Sequence, residues 1–449
     1  MSENDAGDIV CITADENEKK LIVRVCEAFN YKVDFLNGAD DLLDCTTPYR
    51  VVILSEDLEN KKNSLDEMAQ ISFQQNQSAV LIAFVQKELT QARFDFLEKL
   101  GIKIIMLKKE MGTGKFPFLL NQILQFQFIS IKTADLFPNK STPFEVYHCL
   151  NIKKHFVKLN GKGQAFTKER IDRLAAKSEY FIKKDDVPVY NKFITENTDR
   201  SAKGLAQRCR VNFINLQVEF QNLVIELTNE TNRVSFKEGA ALLERCFNLC
   251  DEFIMNLAEF RTPWDIITLS EIGNFGSVSR APAVAAFAGL FAINSGLLDH
   301  VSKVMLASLI VDLGQLKLDS SISFKLKNHE RLNGDEIKEV QAIPQKSLNL
   351  VLDRKLAIDE KIRSIMALIY ERSDGTGYPL GVDQHKITLE SQMIRLAKEF
   401  DSRITFNLGT QRVNPSDVLK NIFELKELDG VFTEEFKTLI KSNIISAIP

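Results

Sequence analysis

The sequence predicts a multidomain chain: a doubly wound α/β domain, then a small α+β module, then an all-α domain. Three observations carry this. Short apolar runs alternate with amphipathic stretches up to about residue 127, and extended pieces broken by turn signals follow to about residue 197. Helical periodicity fills nearly everything from Gly276 onward. With 449 residues there is room for about two or three domains, each with a full core. The divisions fall at 1–127, 128–197, a helical connector at 198–270, and 271–449.

In the first segment the apolar runs are Ile9–Ile12, Val51–Leu54, Ala79–Phe84 and Ile104–Leu107, with a weaker extended stretch around Val33-Asp-Phe35. Helical spacing fills the gaps, as in Leu21, Ile22, Val25 and Phe29. Strands alternating with helices give a parallel sheet, whose ligands sit at the carboxyl ends of the strands. This order and spacing resembles a response-regulator receiver domain. The resemblance implies a phosphate-accepting Asp at the end of the third strand and an acidic pair after the first strand to hold magnesium. In Val51-Val-Ile-Leu-Ser55 the acceptor position is Ser55. Glu56 and Asp57 follow, but a one-residue shift along a strand points a side chain the other way. After the first strand come Ala14, Asp15 and Glu16, so one acid of the pair is expected to be missing. The Thr or Ser expected after the fourth strand falls on Ala83 or Phe84, while the Lys after the fifth is matched by Lys108 or Lys109. The expectation is a pseudo-receiver that binds partners through its surface, with Asp15, Glu16, Ser55 and Lys108 as a vestigial site.

In the second segment Phe144-Glu-Val-Tyr-His-Cys and His155-Phe-Val-Lys-Leu read as strands, and Asn160-Gly-Lys-Gly as a turn. Thr167 caps a short helix through Leu174, with Glu169 in its first turn, and Tyr180-Phe-Ile-Lys-Lys reads as a further strand. In the connector, Val211, Ile214, Val218, Leu223 and Leu227 keep a helical period that Asn229-Glu-Thr-Asn-Arg breaks. Ser235 with Glu238 makes a capping-box pattern for a second helix, whose apolar face uses Ala241, Leu242, Cys246, Phe247, Cys250 and Phe253. The readings of this pair stay open: a signalling connector or a dimer interface on one side, ordinary parts of the helical core on the other.

In the last segment, residues 371–379 read Glu-Arg-Ser-Asp-Gly-Thr-Gly-Tyr-Pro. This stretch resembles the signature loop of HD-GYP domains, metal-dependent phosphodiesterases that hydrolyse cyclic di-GMP, and the upstream α+β segment resembles a module that often precedes them. The resemblance implies His and Asp ligands for two or three metals, spread over several helices. The family's opening His aligns with Arg280. Its His-Asp dyad and catalytic Lys align with Val311, Asp312 and Gln315 in Ile310-Val-Asp-Leu-Gly-Gln315, a later His with Ile343, a His-His pair with Ile369-Tyr370, and a carboxylate with Lys398. Valine, isoleucine and lysine supply none of the N, O⁻ or S⁻ donors that a divalent metal needs. Of the five histidines (His148, His155, His300, His329 and His385), none occupies an expected ligand position.

The expectation is therefore a degenerate domain: no cofactor, no metal, and a pseudoenzyme. Arg280 and Lys398 pair with Asp312, Glu399 or Asp401, reach solvent, or stand in for metal charge toward an anionic ligand. Arg372, Asp374, Gly375, Gly377, Tyr378 and Pro379 match the loop. The two glycines are read as permitting positive φ, Asp374 as closing the turn and Pro379 as fixing the exit. The loop is either a scaffold or a recognition surface, and the resemblance associates it with diguanylate cyclase domains. The family's Arg-Pro-Tyr-Arg-like nucleotide-holding segment has no match in Ile404-Thr-Phe-Asn-Leu-Gly. Taken together, these readings give a non-catalytic signalling protein of the cyclic di-GMP and two-component type, working through protein partners. Cyclic di-GMP binding, an atypical phosphodiesterase and a structural homodimeric scaffold are the alternatives.

A net charge of −4 and a pI near 5.9 argue against nucleic-acid polymers as partners. The acidic start, Met1-Ser-Glu-Asn-Asp, has no apolar core of a signal peptide. The longest apolar run, Ala281 to Leu298, is rich in Ala and Gly and is read as a tightly packed core helix instead of a membrane span. Seven scattered cysteines, with Cys246 and Cys250 one turn apart on a buried face, fit a reduced, cytoplasmic protein.

Overall fold

The computed structural model describes residues 7–28, 31–45, 47, 49–56, 64–75, 77, 79–124, 127–150, 155–175, 180–228, 237–259, 276–327, 330–405 and 413–448. Phe29, Asp57, the 229–233 break, the Ser235 cap, His329 and residues 406–412 lie outside them.

The first unit is a five-stranded, wholly parallel sheet of β1 (Gly7–Ile12), β2 (Val33–Leu36), β3 (Tyr49–Ser55), β4 (Val80–Val85) and β5 (Ile102–Leu107). The strand order is β2-β1-β3-β4-β5, with Ile12 opposite Leu54 and Ser55 opposite Phe84. Both faces are covered, so the central strands β3 and β4 are apolar at successive positions and not merely at alternate ones, while β2 at the edge is half-exposed. One face (Val10, Val52, Leu54, Leu81) packs with α2 (Ala39–Leu43), α3 (Leu65–Gln75) and α4 (Gln91–Lys99). The other (Ile9, Cys11, Ile53, Phe84) packs with α1 (Glu16–Ala28) and α5 (Lys115–Leu124). A single-turn 3-10 helix, Lys108–Glu110, leaves the carboxyl end of β5.

The second unit is a four-stranded antiparallel sheet, ordered β6-β9-β7-β8: β6 (Phe128–Ile131), β7 (Val146–Leu150), β8 (His155–Asn160) and β9 (Tyr180–Lys183). Helix α6 (Lys168–Ala175) is capped by the Thr167 hydroxyl, which accepts from the Arg170 amide at 3.3 Å. Strand β6 and helix α7 (Val187–Asn197) are additions to the expected elements. A buried charge seats this unit on α8 (Ala202–Thr228): Arg210 Nε donates to both Asp135 oxygens at 2.9 and 3.0 Å, and Tyr190 adds its hydroxyl at 3.0 Å.

Helix α8 packs on α9 (Lys237–Leu257), and both join the largest core. That core also takes in α10 (Gly276–Asn294) and α11 (Val301–Ile310). Both connector helices thus contribute side chains to the core of the helical unit. Helix α10 is buried all round through small residues (Ala283, Ala285, Ala286, Ala288), as a central helix should be. No helix among the described residues is long and apolar enough to cross a membrane.

After α12 (Ser320–Lys327), α13 (Gly334–Gln341) opens with a capping box between Asn333 and Glu336. Then follow α14 (Ile343–Asp353), α15 (Glu360–Leu368), α16 (Leu389–Ile404), α17 (Pro415–Asn421) and α18 (Glu434–Asn443). Asp359 and Thr388 cap α15 and α16 with side-chain oxygens. The four turns of α16 lie against α10, and this pairing builds the site below.

Candidate functional site

Asp312 follows the last turn of α11, where the chain leaves the α-helix for the 3-10 turn Leu313–Lys317. Its carboxylate is buried and fully engaged. Tyr370, just past α15, donates its hydroxyl to Oδ1 at 2.7 Å, and Lys398 from α16 donates its ammonium to Oδ2. One turn further along α16, Asp401 takes Arg280 from α10: Nε donates to Oδ2 at 3.1 Å, and the guanidinium also reaches Oδ1. Lys398 and Asp401 are three residues apart and share one helix face, so α16 presents a cation and an anion side by side to two other elements. Of the fates open to Arg280 and Lys398 in the sequence, ion pairing is the one found.

The apolar positions close the space around these pairs. Val311 and Ile369 lie in the main core, and Ile343 sits in a small cluster with Leu318 and Ile322. Ser347 ties them together, with its hydroxyl 2.5 Å from the Val311 carbonyl and 2.9 Å from that of Ile343, and it accepts from the Gly314 amide at 2.7 Å. Gly314 has no room for a side chain, since a Cβ there would lie 2.2 Å from the Ile343 carbonyl oxygen. Gln315, in the same turn, donates its backbone amide to the Asp312 carbonyl at 2.9 Å. Val311, Ile343, Ile369, Arg280, Lys398 and Tyr370 thus stand around two carboxylates, Asp312 and Asp401, each paired with a cation of the chain. Among the described residues, no group of three or more His, Cys, Asp or Glu side chains comes together as a ligand set.

Tyr370 joins this centre to the loop. Its ring stacks on that of Tyr378, with centroids 5.1 Å apart and planes 8° from parallel, and Arg395 and Lys398 lie 5.4 and 5.1 Å from its ring centre. Withdrawal from water, reinforced by the charge of Asp312, pushes the Tyr370 phenol well above its ordinary range, and burial pushes Tyr378 up to about 12. Glu371 is buried and accepts from the amides of Leu380 and Val382 at 2.7 and 3.1 Å, which fixes the loop's exit beyond the exposed Pro379.

Asp374 closes the turn by accepting from the Thr376 amide at 3.0 Å. It also takes a forked pair of hydrogen bonds from Arg372, which holds its carboxyl well below the usual carboxylate range. The loop is pinned to the turn before α18. Ser373 donates to the Gly430 carbonyl at 3.0 Å, and Arg372 donates to that of Asp429 at 2.5 Å. Positive φ holds at Gly375 (+77°) but not at Gly377, a correction to the sequence reading. Glycine is required at 377 by space, because a Cβ there would sit 2.4 Å from the Arg372 nitrogen and the Glu371 Cα.

At the first sheet, the acid at the carboxyl ends is neither Asp15 nor Glu16. Asp15 caps α1 by accepting from the Asn17 amide at 2.8 Å, and the exposed Glu16 pairs with Lys19 at 2.9 Å. The carboxylate in the site is Glu18. It accepts from Ser55 Oγ at 2.5 Å and Thr13 Oγ1 at 2.8 Å, and pairs with Lys108 Nζ at 2.5 Å. The sequence does carry a signal for it, since Glu18 stands three, four and seven residues before Leu21, Ile22 and Val25, on the inward face of α1.

Three comparisons bear on this arrangement. Residues 266–427 match the model of the HD domain family. The solved structure of Bd1817, a HDG"Y"P protein from Bdellovibrio bacteriovorus, is similar at 16% identity and a TM-score of 0.45, covering 70% of this chain and 98% of that one. No curated protein matches the chain. The C-terminal part of the chain is therefore a helical HD domain, set behind an N-terminal α/β region with a parallel sheet.

Proposed function

We propose that this chain is a non-catalytic member of a cyclic di-GMP-related signalling system, acting through protein–protein contacts. The observation that carries the reading is the ammonium of Lys398 seated on Asp312. A carboxylate paired with a built-in cation and a phenol is poorly placed to recruit a metal ion, and hydrolysis of a phosphodiester in this family's manner depends on metal-generated hydroxide. The first sheet supports the same reading. Ser55 stands at its acceptor position, and Glu18 already occupies the lysine that would meet a phosphoryl group. On this reading the sheet is a pseudo-receiver and the HD domain a degenerate HD-GYP domain, with the loop around Tyr378 as its recognition surface.

The cations near the HD site are engaged by the chain's own carboxylates: Arg280 by Asp401, Lys398 by Asp312, Arg395 and Arg403 by Glu399, Arg372 by Asp374. A cyclic dinucleotide would have to displace these pairs, so calorimetric titration with cyclic di-GMP is expected to give no saturable heat.

The deciding experiment combines metal analysis of the purified protein with a cyclic di-GMP hydrolysis assay. Substoichiometric iron, manganese and zinc with no turnover is the expected result. Turnover abolished by Asp312→Ala would replace this reading with an atypical phosphodiesterase. For the loop, Tyr378→Ala is expected to deplete the partners recovered with the wild-type chain.

A further inference from the structure

The two sites are joined by an unbroken run of direct contacts. Glu18, 9% exposed, is the anion at one end, and Lys108, its partner, is the first residue of the 3-10 turn Lys108–Glu110. The last residue of that turn is Glu110, also buried. Its carboxylate pairs with the buried ammonium of Lys115 at 2.6 Å and with Lys317 of the HD domain at 3.6 Å. The next residues lie strand-like against the HD domain. Thr113 bridges Asp319 in antiparallel register, Gly114 N donates to Leu318 O at 2.6 Å, and Ser320 N donates to Gly112 O at 2.8 Å. The backbones approach so closely that a Cβ on Gly114 would lie 2.7 Å from the Gln315 carbonyl oxygen. Gln315 belongs to the turn 313–317, whose first residue follows Asp312.

We propose that Glu18 is the control end of a joint whose working end is the Asp312 turn. Its anion holds Lys108 inward, and so sets the tilt of the turn 108–110, the seat of Glu110 on Lys317, and the placement of residues 313–320. The mechanism is electrostatic and short-ranged. Without the Glu18 charge, the Lys108 ammonium loses its counter-ion in a poorly hydrated place and turns toward water, which releases the side-chain tie that holds the start of the turn 108–110 inward. Coupling of this kind is carried by contiguous packed contacts and is reciprocal between its ends. It stands whether or not Asp312 performs chemistry, so its failure is separate from failure of the non-catalytic reading.

The test is amide hydrogen exchange of the full chain, read by mass spectrometry. Glu18→Gln, which keeps the shape but removes the charge and turns one acceptor oxygen into a donor, is expected to speed exchange of peptides within 313–323 by roughly threefold or more, leaving β6–β9 at the wild-type rate. Lys317→Gln is expected to speed exchange within 108–115. Tyr49→Phe, which removes the hydroxyl donated to Asp34 at 2.8 Å in the same sheet, serves as the control and should leave 313–323 unchanged. Wild-type exchange of 313–323 in Glu18→Gln, or an equal effect from Tyr49→Phe, overturns the proposal. If Glu18→Gln does not fold, the partly exposed Lys317 decides: unchanged exchange on both sides of the joint in Lys317→Gln overturns it too.

Discussion

Tyr370 and Tyr378 lie ring on ring, so the residue that donates to Asp312 and the residue at the centre of the Gly-Tyr-Pro loop form one surface. A disturbance of the ion pair beneath Tyr370 therefore reaches the loop directly, through the ring stack and the hydrogen bond from the Tyr378 amide to the Tyr370 carbonyl at 3.2 Å.

Replacing Lys398 with Met would leave Asp312 buried without its cation. The expected cost is about 3–5 kcal/mol, since a broken buried pair strands the remaining charge. Denaturant unfolding measures this, and adding Asp312→Asn should recover part of the loss. Additive losses in the double variant would mean that the pair does not act as a unit.

The two loop glycines answer different demands. Gly375→Ala should cost about 1–2 kcal/mol through its left-handed backbone, and Gly375→Asn should recover most of it because Asn tolerates that region. At Gly377, where the obstacle is neighbouring backbone, Ala and Asn should both destabilise, by about 1–3 kcal/mol or more. Thermal melts of the four variants test the distinction, and recovery by Asn at 377 would contradict the steric account.

The tyrosines make stability fall on the alkaline side. Tyr378 is raised from 10.0 to about 12 and Tyr370 is raised as well, so the folded state favours the neutral phenols. Their contribution is fully present below pH 10 and is lost as pH rises toward 12 and beyond. Absorbance at the phenolate band, compared between wild type and Tyr378→Phe, should show the missing phenol titrating above the ordinary range. Ionisation of that phenol near 10 would show it to be solvated.

Arg210→Met is expected to cost about 3–5 kcal/mol, because it leaves the buried Asp135 carboxylate without its cation, held by the Tyr190 hydroxyl and the Lys132 amide. Urea unfolding followed through the four-stranded sheet would reveal it. A midpoint shift no larger than that of an exposed control such as Lys192→Met would show the pair to be dispensable.

Much of the parallel sheet is legible in the sequence because β3, β4 and β5 are apolar runs buried on both faces, which marks position and neighbours at once, whereas the half-exposed β2 gives only a weak signal. The α10 run and the α8 period are legible for similar reasons. Strand β6, only four residues long, has no such signature, since its identity comes from pairing with β9 more than fifty residues later. Glu18 was obscured by two adjacent acids at the expected spacing, although the period of α1 singles it out. The pairs at Asp312 and Asp401 were present among the candidate partners, yet which cation meets which anion depends on how α10 and α16 cross, 121 residues apart. Nothing local to Gly377 announced that its constraint is spatial and not torsional.

The charges at Asp312 and Asp401 are balanced by side chains encoded in the same polypeptide. A neutraliser that arrives with the chain comes at fixed stoichiometry and cannot be diluted or chelated away. The helices around it reach electrical balance at the moment they close, on a schedule set by translation and folding alone.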